Sequence, residues 1–147
     1  MNPVIVLLAS LAAALFLTGL AWFLQVVHLP LMLRLDGPGF AEYARIQRTR
    51  NTALMAGPML IELTTAAWLV VVDVRGSHRD MFHAFLLVAI VWIVTFASIV
   101  PLHSRLTRGY DARVIHLLVR RNWIRVACWT LRSAFLVRVV WRALQPL

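Results

Sequence analysis

Lysine is absent from this sequence: all 15 basic residues are arginine, set against only 6 acids for a formal charge of +9. Charge as a whole is also scarce. Only 14% of the 147 residues are charged and 61% are hydrophobic, where soluble domains run at roughly 25% and 45–50%. A soluble bundle of this size has too little interior to hide that much apolar surface. Cysteine is nearly missing as well, since Cys128 stands alone, which excludes an intrachain disulfide and leaves the redox compartment undetermined. Met1-Asn2-Pro3 lacks the positive region of a secretory signal, and the apolar run behind it is too long for one. We expect that run to stay attached as a helix. No basic stretch carries the aromatic interleaving of a nucleic-acid module, so nucleic acid is not an expected partner. The arginines fall in short segments between apolar runs and read as markers of membrane topology.

What the sequence does contain is long apolar runs. Pro3 to Leu33 has no formally charged residue, well beyond the ~20 residues that cross ~30 Å of hydrocarbon at ~1.5 Å per residue. A first span is predicted over about Val4 to Val27, with Ala9, Ser10, Ala13 and Ala14 spaced to let a second helix approach closely. Pro30 and the cluster Asp36-Gly37-Pro38-Gly39 are expected to end it. A polar first loop with Arg34, Glu42, Arg45, Arg48 and Arg50 should follow. Ala53 to Val72 reads as the second span and contains Pro58 and Glu62, Asp73 to Arg79 as a turn, and Phe82 to Leu102 as the third span. The fourth, about Asn122 to Leu144, carries Arg125, Arg132, Arg138 and Arg142. A central arginine costs about 2.5–3.5 kcal/mol on insertion scales. This segment therefore either inserts together with its partners or lies as an amphipathic helix on the membrane surface. The expected fold is all-α: a single-domain integral membrane four-helix bundle.

Arginine distribution predicts the orientation. The first and third loops hold Arg34, Arg45, Arg48, Arg50, Arg105, Arg108, Arg113, Arg120 and Arg121, whereas the second holds Arg75 and Arg79. Positive-inside then puts the first and third loops in the cytoplasm and both termini outside. Pro30-Leu31, Arg34-Leu35 and Arg50-Asn51 reappear 71 positions later as Pro101-Leu102, Arg105-Leu106 and Arg121-Asn122. Either the halves are parallel helix-pair repeats, or a biased composition has produced a chance similarity.

Ionisable groups at membrane depth are costly unless paired or used, which makes Glu62, Arg132, His28 and His103 candidates. Glu62 lies about 13 Å from the cytoplasmic end of its span at ~1.5 Å per residue, and Arg132 lies at similar depth. We expect the two to face each other or share a polar cavity, as a buried ion pair or with Glu62 as a ligand or proton carrier. His28, Glu62 and His103 could converge on a cytoplasm-facing pocket, and imidazole with carboxylate suits iron, zinc or copper. The spacing does not itself encode a metal site: no His follows Glu62 at three residues, and no two His sit four apart on a helix. Arg121, Arg125, Trp129 and Arg132 share a helical face that could hold an anionic headgroup or substrate. Trp68, Trp123 and Trp141 read as interfacial belt residues.

Four phrases carry a resemblance: Val26-Val27-His28-Leu29-Pro30, Pro58-Met59-Leu60-Ile61-Glu62-Leu63, Pro101-Leu102-His103-Ser104-Arg105-Leu106 and Leu118-Val119-Arg120-Arg121-Asn122-Trp123-Ile124-Arg125. Together they resemble a family of small, uncharacterised bacterial four-helix membrane proteins and, more distantly, the anthrone-oxygenase-like membrane family. The resemblance implies His28, Glu62, His103, Asn122, Trp123 and Arg125 as site positions. It supplies no reaction, and fold-level analogy is weak evidence for one.

Three functional readings follow. The first is a non-catalytic subunit or assembly partner of a larger membrane complex, which small size, short loops and small-residue faces suit. The second is a membrane-embedded ligand- or metal-binding redox protein, oxygenase-like, acting on a hydrophobic substrate. The third is a proton or solute transport element. A metal is the one cofactor the residues suggest, and the lipid bilayer, a membrane-protein partner or a second copy are the expected associates.

Overall fold

The computed structural model describes residues 2–72 and 77–145, and among them the chain is helical with no strand. Four long helices carry it: α1 (Pro3–Met32), α2 (Phe40–Val71), α3 (His78–Leu106) and α4 (Ala112–Leu144). Each packs on two others, α1 on α2 and α4, α3 on α2 and α4, closing a ring. The first three are long and apolar enough to cross a membrane on their own composition. The chain is thus an integral membrane helical bundle.

Pro30 does not end the first helix, contrary to expectation. Leu24–His28 is wound as a π-turn, with the Leu29 N–H donating to the Leu24 carbonyl, and α-helix resumes over Leu29–Met32. Proline lacks an N–H, and its ring collides with the carbonyl four residues back. A widened turn just before it moves that carbonyl aside, so the helix continues. The third helix repeats the device. Thr95–Ile99 is a π-turn, the Val100 N–H reaches the Thr95 carbonyl, and helix runs on past Pro101 to Leu106, beyond the expected end at Leu102. Both π-turns and both prolines are separated by 71 positions, the offset of the sequence echo. The sequence echo therefore coincides with a matching pair of backbone π-turns.

The expected first loop is also mostly helix. α2 begins at Phe40 and α4 at Ala112, well before positions 53 and 122, so Glu42, Arg45, Arg48, Arg50, Arg113, Arg120 and Arg121 are all helical. Their polarity marks where lipid ends, not where helix ends: Arg, Glu, Gln and Ala are good helix formers, and no glycine or proline interrupts 40–56. At ~1.5 Å per residue, helices of 32 and 33 residues run about 48–50 Å, against ~30 Å of hydrocarbon. Their arginine-rich N-terminal ends reach past the apolar layer. Asp111 starts α4, its carboxylate accepting from the Arg113 and Val114 N–H groups at 2.9 and 3.2 Å. Asp73–Gly76 of the expected second turn lie outside the described residues, and His78 and Arg79 already belong to α3.

The core forms three stacked layers. Leu29, Met32, Phe40, Leu102, Leu106, Ile115 and Leu118 fill the arginine-rich end. Leu17, Ala21, Met55, Met59, Val91, Val126 and Trp129 fill the middle, and Val6, Leu7, Leu69, Met81, Leu136 and Val139 the far end. At that far end Asp80 of α3 pairs with Arg138 and Arg142 of α4.

α4 sets four polar residues into an otherwise apolar buried face. Asn122, Arg125, Arg132 and Ser133 face the bundle interior, while Ile124, Ala127, Leu131, Ala134 and Val137 face outward. A helix lying on the membrane surface would turn its arginines to water and its apolar residues to lipid and core. Here Arg125 and Arg132 are shielded by the other three helices, which is how polar residues are accommodated at membrane depth, while Arg113, Arg120, Arg121, Arg138 and Arg142 stay exposed. Arg121 is exposed, so it leaves the expected stripe of Arg121, Arg125, Trp129 and Arg132, and Asn122 takes its place on the buried face.

Candidate functional site

Two polar layers cross the bundle interior. In the first, Glu62 of α2 is fully buried and its Oε1 lies 3.1 Å from the Arg132 guanidinium of α4. Trp129 Nε1 donates to the other carboxylate oxygen at 3.0 Å, and Arg132 also donates to Ser10 Oγ of α1 at 2.9 Å. The carboxylate, a cation and two neutral groups from three helices thus close on one another. Single removal of either charge would strand its partner in a medium that cannot solvate it.

The second layer lies seven residues back along α4, about 10 Å toward the arginine-rich end. Asn122 donates to Gln25 Oε1 at 2.9 Å and accepts from Arg125 at 3.3 Å. Arg125 is only 4% exposed, yet its neighbours are neutral: Asn122, Met55 Sδ at 3.8 Å, and the face of Trp129 with its centroid 4.8 Å away. Its Nε has no acceptor within the protein. The indole of Trp129 therefore touches both layers, edge to the carboxylate and face to the second arginine.

Beside Arg125 is a cavity of about 260 Å³. Met55, Met59, Leu60, Phe96, Ile99 and Val100 supply apolar walls, and Leu24, Thr95, Phe96 and Ile99 come from the two π-turns. Thr52, Ala56, Leu60 and Phe96 line it and are also exposed, so it opens sideways between α2 and α3. Its polar lining is basic or neutral: Arg125, Arg48, His103, Asn51, Thr52, Thr95 and Trp92, with no carboxylate. Three buried donors on this wall lack a protein acceptor, namely Arg125 Nε, Trp92 Nε1 and Thr95 Oγ1. The threonine is unusual in its own chain: Thr18, Thr64, Thr65 and Thr130 all donate to a backbone carbonyl of their own helix, as helical threonines commonly do. Thr95, at the first position of a π-turn, does not.

The positions singled out by sequence separate into groups. Glu62 and Arg132 share one layer, Asn122 and Arg125 the other, and His103 lines the cavity. His28 is half-buried and stacks on Tyr43, centroids 6.4 Å apart; it does not line the cavity but lies near enough to His103 to interact with it electrostatically. Trp123 faces outward and meets Trp22 edge-on at 5.6 Å. His28, Glu62 and His103 do not assemble as metal ligands, because Glu62 is held by Arg132 and Trp129, and no group of three His, Cys, Asp or Glu suited to a metal occurs among the described residues. Gln25, Ser10 and Trp92 were not singled out by sequence. The available signal was weak: an uncharged polar residue in an apolar run five positions before Pro30, for Gln25, and nothing beyond small size for Ser10.

The fold and site together define a membrane helical bundle with a laterally open cavity whose lining includes the buried Arg125. Comparison with protein-family models, with curated proteins and with solved structures finds no match.

Proposed function

We propose that this chain is a membrane-embedded binding protein whose cavity takes up a hydrophobic ligand from the bilayer through the opening between α2 and α3. The observation that carries this reading is that three residues lining one cavity, Arg125, Trp92 and Thr95, each hold a buried donor to which the protein offers no acceptor. Buried donors are nearly always satisfied, and leaving one unmet costs about 1–3 kcal/mol. A ligand that brings acceptors into the cavity relieves that cost. The volume supports the same reading, since about 260 Å³ is close to the lower end of the roughly 300–1,000 Å³ of small-molecule pockets.

The subunit reading drew on the small-residue face of α1, but Ser10, Ala13 and Ala14 are buried within the bundle itself, which leaves the cavity as the better-supported feature. A proton-carrying role for Glu62 has less support, because both its oxygens are engaged by Trp129 and Arg132. Oxygenase-like redox chemistry is not part of the proposal, since Glu62 is engaged by Arg132 and Trp129 and no group of three candidate ligands occurs among the described residues.

Ala56 lies at the mouth, exposed and on the cavity wall, so a larger side chain there fills the opening without disturbing the core. Native mass spectrometry of protein released from its own membranes is expected to show a retained small molecule in the parent and none in Ala56→Phe, with similar unfolding midpoints in SDS. No retained molecule, or equal retention by both proteins, would remove the reading.

The proposal includes an orientation: the ends bearing Arg34, Arg45, Arg48, Arg50, Arg105, Arg108, Arg113, Arg120 and Arg121 face the cytoplasm of a bacterial inner membrane, with both termini outside. The burial of Arg125 and Arg132 on α4 supports a fourth crossing. A periplasm-active reporter joined to the C-terminus should be active and a cytoplasm-active one silent; the reverse pattern would place α4 on the cytoplasmic surface.

A further inference from the structure

We infer that the ligand of this cavity is an amphiphile ending in a compact oxyanion, a carboxylate or a phosphate monoester, whose head is held by Arg125 and whose apolar tail leaves through the opening between α2 and α3. This deepens the binding role proposed above and rests on it. The argument starts from two arginines seven residues apart on the buried face of α4. Arg132 has its counter-charge inside the protein, the Glu62 carboxylate at 3.1 Å. Arg125 is equally buried and has none: its partners are an amide oxygen, a thioether and an indole face. Burying a cation without an anion is strongly unfavourable, and no aspartate or glutamate lines the cavity it faces.

The rest of the wall fits an anion and opposes a cation. Arg48 and His103 line the same cavity, and Trp92 and Thr95, also on its lining, hold neutral donors without a protein acceptor. Asn122 meets the guanidinium at one terminal nitrogen, its own amide donating to Gln25, and Arg125 Nε has no hydrogen-bond partner in the protein. The relay therefore orients the arginine while leaving one of its edges unmet. From there Ile99, Leu60 and Phe96 offer a continuous apolar path, and Leu60 and Phe96 are exposed at its outer end. Charge-assisted bonds from arginine to carboxylate or phosphate are about twice as strong as neutral ones, so the head should decide selectivity and the tail should be interchangeable.

The test uses the full chain in phosphatidylcholine nanodiscs at neutral pH with four ligands of matched tail: myristate, tetradecyl phosphate, tetradecanol and tetradecyltrimethylammonium. We expect both anions to bind roughly tenfold or more tighter than the alcohol, and the ammonium to bind more weakly still. Whichever anion binds tighter identifies the carboxylate or the phosphate source, and either ranking supports the assignment. Arg125→Gln should bring the anions to the level of the alcohol, whereas Arg121→Gln, on the exposed face, should leave all four constants unchanged. Should Arg125→Gln not fold, the anion-to-alcohol ratio of the parent protein still decides. Equal binding of alcohol and anions would overturn the charge assignment and leave the binding role intact. Failure of all four ligands would overturn the binding role itself.

Discussion

Replacing Glu62 by leucine is expected to destabilise the bundle by about 3–5 kcal/mol, because it strands the Arg132 charge at a depth where nothing else can neutralise it. Arg132 is 1% exposed and the carboxylate 0%, so neither can turn to solvent. The same change removes the acceptor of the Trp129 indole, another about 1–3 kcal/mol for an unmet buried donor. Arg132→Met should cost a similar amount by stranding the carboxylate. The double replacement is expected to cost much less than the sum, since an apolar pair of similar volume needs no partner in lipid, with a coupling of at least about 1 kcal/mol. SDS-driven unfolding of the four proteins measures this, and strictly additive losses would show that the pair is not coupled.

The second large effect is expected at Trp129, the largest of the fully buried side chains. Trp129→Ala should lose about 3–5 kcal/mol through the void left in a packed interior. It should also weaken ligand binding, because the indole face against which the Arg125 guanidinium lies, at 4.8 Å, is removed. Trp129→Phe keeps most of the ring and the cation–π contact but loses the donor to Glu62. It should cost about 1–3 kcal/mol of stability, the range for an altered buried hydrogen bond, with little effect on ligand affinity. Unfolding midpoints and ligand titrations of the two variants separate these contributions. A Trp129→Phe protein as stable as the parent would mean that the indole hydrogen does not matter to the pair.

Much of the architecture could be read from single residues and short windows. The uncharged stretch from Pro3 to Leu33 announces a spanning helix without any tertiary information, and the carboxylate of Glu62 in an apolar run announces that a partner must exist. Helix ends were less legible. Pro30 and Pro101 look like terminators in sequence, but each is absorbed by a π-turn whose formation depends on backbone slack that residue identity does not reveal. Polar residues 41–52 were read as loop because lipid boundary and helix boundary give the same local signal, and only the backbone distinguishes them. The stripe on α4 was read one position off at its start, since Arg121 and Asn122 are adjacent and both polar, and the packing against α1 decides which turns inward.

Membrane residence, the number of helices and the arginine-rich ends follow from the sequence alone, because hydropathy and charge sum along the chain and need no knowledge of what lies opposite. Which arginines of α4 turn inward, the neutralisation of Arg132 but not Arg125, and the cavity lined by both π-turns were decided by tertiary structure. The reason is the separation of the partners: Glu62 and Trp129 are 67 positions apart, Gln25 and Asn122 97, and Ser10 and Arg132 122. No local pattern records which of two arginines, seven residues apart on one helix face, will meet the only carboxylate buried in the described interior.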